Sequence, residues 1–144
     1  MNTIDIFMSY QWEIKDKVEL FHEKLSSTGM IVWRDNKLRQ KPEGLYEQLA
    51  ENINNSKIIL CFLTNAYIKS KNCYKELSYA TRIGKHIIYL MIEKMNTNQL
   101  GKVAFIMEDT LYTQCYNKPG SWWLDYFDEI KTSLKNGLEV GLFV

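Results

Sequence analysis

The apolar run from Ile58 to Leu63 constrains the fold of this chain more than any other segment. Its residues are apolar without alternation, whereas a strand with one face in water alternates apolar and polar residues. The pattern is typical of a strand buried on both faces of a parallel sheet. Because an open parallel sheet binds ligands beyond the carboxyl ends of its strands, the segment from Thr64 to Glu76 is the first candidate for a functional site.

Strand and helix patterns alternate along the chain. We predict strands at residues 4–9, 30–33, 57–63, 86–92 and 103–107. Amphipathic helices are predicted at residues 14–29, 45–55 and 73–83, with a short irregular or helical piece at 95–101 and a last helix capped by Ser121 after the Asn117–Gly120 turn. Because crossovers between parallel strands are right-handed, this order predicts an α/β fold. We expect a flavodoxin-like, doubly wound, five-stranded parallel sheet in the order 2-1-3-4-5, with helices on both faces.

Length and charge limit the organisation and the partners. The 144 residues predict a single domain over 1–144, with a core at 3–135 and a tail at 136–144 that either packs back or frays. The formal net charge is +1 and the longest basic cluster, Lys69–Lys71, is short, so nucleic acid is not an expected partner. No apolar run approaches the roughly 20 residues that span a bilayer, so no membrane partner is expected.

Cysteine and histidine positions indicate reduced thiols and predict no metal site. The three cysteines are widely spaced and no signal-peptide pattern is present, so a cytoplasmic location is expected. His22 and His86 lie in unrelated predicted elements, without the paired spacing of metal ligands. A nucleophilic pair of Cys73 with a histidine is disfavoured because no histidine is close in sequence.

Several functions that are common on this fold lack their signatures. The chain has no G-x-G-x-x-G or Walker loop, which disfavours dinucleotide-dependent redox chemistry and NTP hydrolysis. A receiver domain needs an aspartate at the end of its third strand, where this chain has Thr64 and Asn65. A flavodoxin phosphate loop needs small hydroxyl residues after strand one, where this chain has Tyr10–Glu13.

Short motifs occur in a fixed order between residues 3 and 92. They are Asp5–Tyr10 (DIFMSY), Val32–Asp35 (VWRD), Leu38–Gly44 with Pro42, and Ser56, Tyr67, Ser70, Cys73, Glu76 and Leu77 around strand three. This ordered set resembles a TIR domain, and beyond residue 92 only the length and the Trp122–Trp123 pair match. The chain departs from the family pattern at Asn72, where tryptophan is usual. It also departs at Gln11 and Trp12, where basic residues often follow the first strand.

The resemblance implies one of two kinds of function. Some TIR domains are scaffolds that associate with other TIR domains in signalling, and others cleave NAD⁺ between nicotinamide and ribose with a glutamate at the position matching Glu76. Scaffold-only members often lack this glutamate, so its presence favours an NAD⁺ nucleosidase in immune or stress signalling. The alternative is a non-catalytic adaptor, in which Glu76 is a solvated charge on a helix surface. Hydrolysis, cyclisation and base exchange all stay open.

One carboxylate suffices for such a reaction. Ordinary glycoside hydrolysis needs a second, protonated carboxyl group because an alkoxide is a poor leaving group. Nicotinamide in NAD⁺ is already cationic and departs neutral, so Glu76 needs only to stabilise an oxocarbenium-like sugar. NAD⁺ is therefore expected as the substrate, and no cofactor is expected.

Eight further residues are candidate substrate contacts. They are Tyr10, Gln11, Trp33, Asp35, Lys37, Leu38, Gly44 and Cys73. Tyr10 and Trp33 end predicted strands, where an aromatic face could stack on a nicotinamide or adenine ring or simply pack in the core. Asp35 is expected to orient the loop that follows it, which in the resembled enzymes helps to complete the pocket. Cys73 shares a helical face with Glu76 and is expected to pack.

The resemblance also implies association between domains. In the resembled family, activity commonly rises on assembly because the loop after strand two contacts a neighbouring domain. We therefore expect weak, regulated self-association through TIR–TIR contacts. Further expected partners are another TIR-containing protein or a downstream effector that senses a nucleotide product.

Overall fold

The computed structural model describes residues 3–34, 45–108 and 110–141, and its centre is one parallel sheet. The strands are β1 (Ile4–Ser9), β2 (Val32–Arg34), β3 (Ser56–Leu63), β4 (His86–Met91) and β5 (Tyr112–Gln114). They lie in the order β2-β1-β3-β4-β5, and every neighbouring pair is parallel. The predicted flavodoxin-like order 2-1-3-4-5 is confirmed.

Helices cover both faces of the sheet. They are α1 (Lys15–Ser26), α2 (Leu45–Asn54), α3 (Asn65–Lys69), α4 (Lys71–Arg82), α5 (Thr97–Leu100), α6 (Lys102–Met107), α7 (Trp122–Asp125) and α8 (Phe127–Gly141), with a short 3-10 helix at Trp12–Ile14. Apolar side chains of α1, α7 and α8 pack on one face. Those of α2 to α6 pack on the other. No helix in the described parts of the chain has the length and apolar character needed to cross a membrane.

The strand β3 supplies both halves of the core. Its even-numbered residues from Ile58 to Phe62 pack beneath α1 and α8. Its odd-numbered residues from Ile59 to Leu63 pack beneath α2 to α6. All of these residues are buried, which is why the sequence shows an unbroken apolar run instead of an alternating pattern.

The predicted fifth strand at residues 103–107 is wrong, because this segment forms the helix α6. Val103 and Met107 are buried while Phe105 between them is 84% exposed, and a spacing of four between buried residues is that of a helix. A short apolar run does not distinguish a strand from a helix. The true fifth strand, β5, lies at the edge of the sheet with side chains that are half-buried or exposed, so no apolar run marks it in the sequence.

Hydroxyl caps set the starts of α3 and α4, and both starts differ from the prediction. The Thr64 hydroxyl accepts a hydrogen bond from the Tyr67 amide at 3.0 Å, so α3 begins inside the segment predicted as a loop. The Ser70 hydroxyl accepts one from the Cys73 amide at 3.2 Å, so α4 begins at Lys71 instead of Cys73. Such caps satisfy backbone amides that lack a partner in the first helical turn.

The last predicted helix is divided into α7 and α8, which meet at Tyr126. Ser121 precedes α7, but its hydroxyl donates to the Asp125 carboxylate and makes no cap to a backbone amide. The helix α8 continues to Gly141, beyond the predicted core limit at residue 135.

Gly137 lets α8 lie close to β3. A Cβ atom at this position would stand 2.8 Å from Ile58 Cδ1 and 3.3 Å from two ring atoms of His86. Because Ile58 is itself buried, a large side chain at position 137 has little space to enter.

We expect Gly137→Leu to lower the free energy of unfolding by about 1–3 kcal/mol, because the larger side chain overpacks the contact between α8 and β3. Asn136→Leu changes the neighbouring exposed position and is the matched control, with an expected change under about 0.5 kcal/mol. Urea unfolding followed by circular dichroism measures both values. Equal stability of the two variants would contradict the close approach.

Candidate functional site

Glu76 lies on the buried face of α4. The buried residues of this helix are Cys73, Glu76, Leu77 and Ala80, and this is the stripe with which an amphipathic helix packs against a core. Glu76 is only 8% exposed, so its carboxyl group does not project into solvent from the helix surface. Burying a carboxylate costs free energy unless polar groups contact it.

Two hydroxyl groups connect Glu76 to the carboxyl end of β1. Ser9, the last residue of β1, donates from Oγ to Glu76 Oε1 at 3.0 Å. Ser9 Oγ also lies 2.8 Å from the hydroxyl oxygen of Tyr67 on α3, which lies 3.4 Å from the Cys73 carbonyl oxygen. These contacts join β1, α3 and α4 at the carboxyl ends of the strands, which is where open parallel sheets bind ligands.

A cavity of about 220 Å³ lies between α2 and α4. It is lined by Leu49, Ala50 and Ile53 from α2 and by Asn72, Lys75, Glu76 and Tyr79 from α4. The helix α2 therefore provides an apolar wall, and α4 provides an amide, an ammonium group, a carboxylate and an aromatic ring. Pockets with mostly apolar walls and a few convergent polar groups are typical of small-molecule sites.

Aromatic rings around this cavity are held by specific contacts. The Tyr79 hydroxyl donates to Asn54 Oδ1 at 3.1 Å, which ties α4 to the end of α2. The Arg82 guanidinium lies 5.5 Å from the centre of the Tyr79 ring. Trp33 stacks on Phe7 with 4.9 Å between ring centres, in the cluster that also contains two apolar residues of the cavity wall.

Three other predicted contact residues link the end of β1 to its surroundings. The Tyr10 ring is buried on the face of the sheet that α1, α7 and α8 cover, edge-on to Phe62 with 6.5 Å between ring centres. The Gln11 side chain accepts a hydrogen bond from the Glu13 amide at 2.6 Å and so caps the 3-10 helix. Cys73 is buried and its thiol donates to the Tyr10 carbonyl at 3.6 Å. Contact of Tyr10, Gln11, Trp33 or Cys73 with a substrate stays a prediction.

The remaining predicted contacts belong to the segment after β2 that the sequence predicts to be a loop. Asp35, Lys37, Leu38 and Gly44 lie outside the described residues, so their part in completing a pocket stays a prediction. Arg34, the last residue of β2, donates from Nε to His22 Nδ1 on α1 at 3.0 Å. Burial, and next the Arg34 charge, lower the pKa of His22, which keeps the ring neutral and able to accept this bond.

Ser9 and Tyr67 were not predicted as partners of Glu76. Both belong to the motifs that resemble a TIR domain, but their hydroxyls meet across 58 positions of sequence. Only the folded sheet brings such distant positions together. The burial of Glu76 did have a sequence signal, because its spacing from Cys73, Leu77 and Ala80 follows one helical stripe.

The three cysteine thiols are protected by burial. Cys61, Cys73 and Cys115 are all free and buried. Burial raises the pKa of Cys61 and raises that of Cys115 to about 12, so these two are neutral thiols at ordinary pH. Within residues 3–34, 45–108 and 110–141, no group of three histidine, cysteine or acidic side chains is arranged to hold a metal ion.

Comparisons with known proteins agree with this architecture. A family model described as TIR domain matches residues 6–131, whereas no curated protein matches the sequence. The crystal structure of the TIR domain of the Toll-related receptor TRR-2 from Hydra magnipapillata is similar in fold, with a TM-score of 0.64 and 18% identity over 90% of this chain and 99% of that chain. The TIR domains of the activated Roq1 resistosome, which directly recognises the pathogen effector XopQ, give a TM-score of 0.58 and 16% identity over 93% and 84% of the two chains.

We expect none of the three thiols to react with a chromogenic disulfide reagent in the native protein at pH 8. All three are buried, and a pKa of about 12 leaves on the order of one Cys115 side chain in ten thousand as the reactive thiolate. Unfolding in guanidinium chloride should release three equivalents, one for each cysteine. Rapid labelling of the native protein would contradict the described burial.

Proposed function

The chain belongs to the TIR domain family, as the match over residues 6–131 shows, and from this we propose that it cleaves the bond between nicotinamide and ribose in NAD⁺. The observation that carries the proposal is the placement of Glu76. Its carboxylate is buried in the stripe of α4, accepts a hydrogen bond from Ser9 and lines the cavity between α2 and α4. The members of the family that cleave NAD⁺ use a glutamate at the matching position.

The proposed reaction needs a negative charge near the sugar and no general acid. The bond from the ribose carbon to the pyridinium nitrogen breaks with both electrons going to nitrogen, so nicotinamide leaves as a neutral molecule. The sugar is left as an oxocarbenium-like cation, which the Glu76 carboxylate stabilises electrostatically. Water then adds to the cation and releases one proton to give ADP-ribose, while attack by another nucleophile gives a cyclic or base-exchanged product.

The residues that line the cavity suit the nicotinamide ring and the phosphates of the substrate. A carboxylate beside the apolar wall of Leu49 and Ile53 suits a flat cationic ring that becomes neutral as it leaves. Lys75 lines the same cavity, and an ammonium group there is favourable for the phosphates of a dinucleotide.

The cavity is smaller than the usual site for a whole dinucleotide. Its volume of about 220 Å³ is below the roughly 300–1,000 Å³ that is usual for a whole drug-sized ligand. We therefore propose that the nicotinamide and its ribose enter between α2 and α4. The rest of the molecule then extends beyond this cavity, and the loop at residues 35–44 is proposed to complete the site.

Exposed apolar residues near β5 support self-association as a second component of the function. Phe105 on α6 is 84% exposed, Leu111 is 89% exposed and Tyr112 of β5 is also exposed. Contiguous patches of exposed apolar side chains mark protein contacts. Within the described residues, β5 is the last strand at one edge of the sheet, where a strand presents unpaired backbone groups. The same surface would serve a non-catalytic TIR adaptor.

We expect the protein, at high concentration, to release nicotinamide from NAD⁺, and we expect Glu76→Gln to reduce the rate by at least about 100-fold. The amide keeps the size of the side chain but removes the charge that stabilises the sugar cation. Liquid chromatography of the products measures the release and shows whether ADP-ribose, a cyclic nucleotide or a base-exchange product is formed.

Glu129→Gln is the matched control for this experiment. It makes the same chemical change at an exposed position of α8, on the opposite face of the sheet, and should leave the rate unchanged. Activity that survives Glu76→Gln would remove Glu76 from the reaction. If no concentrated sample released nicotinamide, this result would contradict the proposed enzyme activity and favour the non-catalytic adaptor.

We expect Leu111→Lys to weaken self-association at least about tenfold, because it places a charge among the exposed apolar residues near β5. Leu124→Lys makes the same change on α7, where Leu124 is also exposed, and is the control for a general effect of charge. Sedimentation velocity over a range of concentrations measures both. Equal association constants for the two variants would exclude the β5 region as the contact.

A further inference from the structure

We infer that Ser9 and Tyr67 form a directed hydrogen-bond chain that orients the Glu76 carboxylate and stabilises its charged form. The inference rests on the proposed function, because it assigns positioning residues to the carboxylate of that reaction. Both residues act through Glu76, and neither is proposed to touch the substrate.

The direction of the chain follows from counting protons. A serine hydroxyl has one proton and a carboxylate has none, so the 3.0 Å contact between Ser9 Oγ and Glu76 Oε1 uses the serine proton. The 2.8 Å contact between Ser9 Oγ and the Tyr67 hydroxyl must then use the tyrosine proton, for which the Cys73 carbonyl oxygen at 3.4 Å is a more distant competing acceptor. The donors therefore point in one direction, from Tyr67 to Ser9 and from Ser9 to Glu76.

Tyr67 is suited to remain the first donor of this chain. Burial is the main cause that raises its pKa well above the ordinary value, so its hydroxyl keeps the proton at any working pH. The position of the residue is fixed as well, because the Thr64 hydroxyl caps α3 at the Tyr67 amide.

The hydrogen-bond chain from Tyr67 to Glu76 lies in a part of the protein that excludes water. Ser9 and Tyr67 are both fully buried, and Ser9 is held in register with Cys61 of β3 at the end of the sheet. Hydrogen bonds in such surroundings are stronger than in water, and a buried acceptor that loses its donor is left poorly solvated. Removal of the Ser9 hydroxyl should therefore be felt mainly by the charged form of Glu76.

Other titratable groups face the same carboxylate or its hydroxyl partners. They are Cys61 of β3, Tyr67 of α3, and Cys73, Lys75 and Tyr79 of α4. The cavity wall from α2 consists of the apolar residues Leu49, Ala50 and Ile53. Lys75 lines the same cavity as Glu76, and a nearby positive charge favours the ionised form of a carboxyl group, so a test of the hydrogen-bond chain must leave Lys75 in place.

The pair Ser9→Thr and Ser9→Val isolates the hydroxyl. The two new side chains have nearly the same shape, but only threonine retains a proton to donate to Glu76. We expect the pKa of the Glu76 carboxyl, followed by its carbon-13 NMR resonance, to be about one pH unit higher in Ser9→Val than in Ser9→Thr. The sign follows because a donor to the charged form lowers the pKa, and losing that donor raises it.

The same pair separates positioning from substrate binding in the reaction. We expect kcat for nicotinamide release to be at least about tenfold lower in Ser9→Val than in Ser9→Thr, with a smaller change in KM. The acidic limb of the pH profile should move upward together with the carboxyl titration. A residue that only supported the fold would move neither the limb nor the titration.

The outcomes distinguish this inference from the proposed function. Equal Glu76 titration in the two variants would overturn the hydrogen-bond chain, even in a protein that releases nicotinamide. A clear difference in titration would support the chain, even in a protein with no nicotinamide release, and the missing release would then count against the proposed function alone.

Two further variants keep the test decisive if the larger side chains prevent folding at the buried position 9. Ser9→Ala removes the hydroxyl without added volume and should raise the Glu76 pKa as Ser9→Val does. Tyr67→Phe leaves Ser9 free to turn its proton away from Glu76, so the expected effect has the same sign and is smaller. An unchanged titration in both folded variants, with the fold checked by thermal unfolding, would overturn the inference.

Discussion

The strand β3 is buried on both faces and paired on both edges, and the rest of the structure is arranged around this constraint. Its partners β1 and β4 run parallel to it along its length. Parallel neighbours require crossovers, and the crossovers place helices over both faces. The carboxyl ends of β1 and β3 consequently lie at one edge of the sheet, where α3 and α4 begin. The position of the candidate site is therefore a result of how β3 is buried.

Glu76 stands out because it occupies a place in α4 that packing alone would give to an apolar residue. A buried carboxylate lowers stability unless the surrounding groups compensate it. Here a serine at the end of a central strand donates to it, and a buried tyrosine contacts that serine in turn. This arrangement places a hydrogen-bonded carboxyl group beside a cavity, as the proposed stabilisation of a sugar cation requires.

The sequence predicted the fold well because its strongest signals come from buried elements. The run at β3, the spacing along α4 and the alternation of elements all arise from packing against a core. The prediction failed where this signal is weak, as in α6 and the edge strand β5, where a short apolar segment belongs to the helix and the strand itself is exposed. The partners of Glu76 were missed for another reason: contacts between β1, α3 and α4 depend on the assembled sheet, which spacing along one element does not show.

The alternation of side chains along β3 divides the molecule into two layers, of which only one contains the candidate site. The α1, α7 and α8 layer contacts even-numbered residues of β3 and serves packing, while the opposite layer contains the carboxylate and its cavity. This division means that changes for solubility or thermal tolerance are best placed at exposed positions of α1 and α8, away from the carboxylate and its cavity.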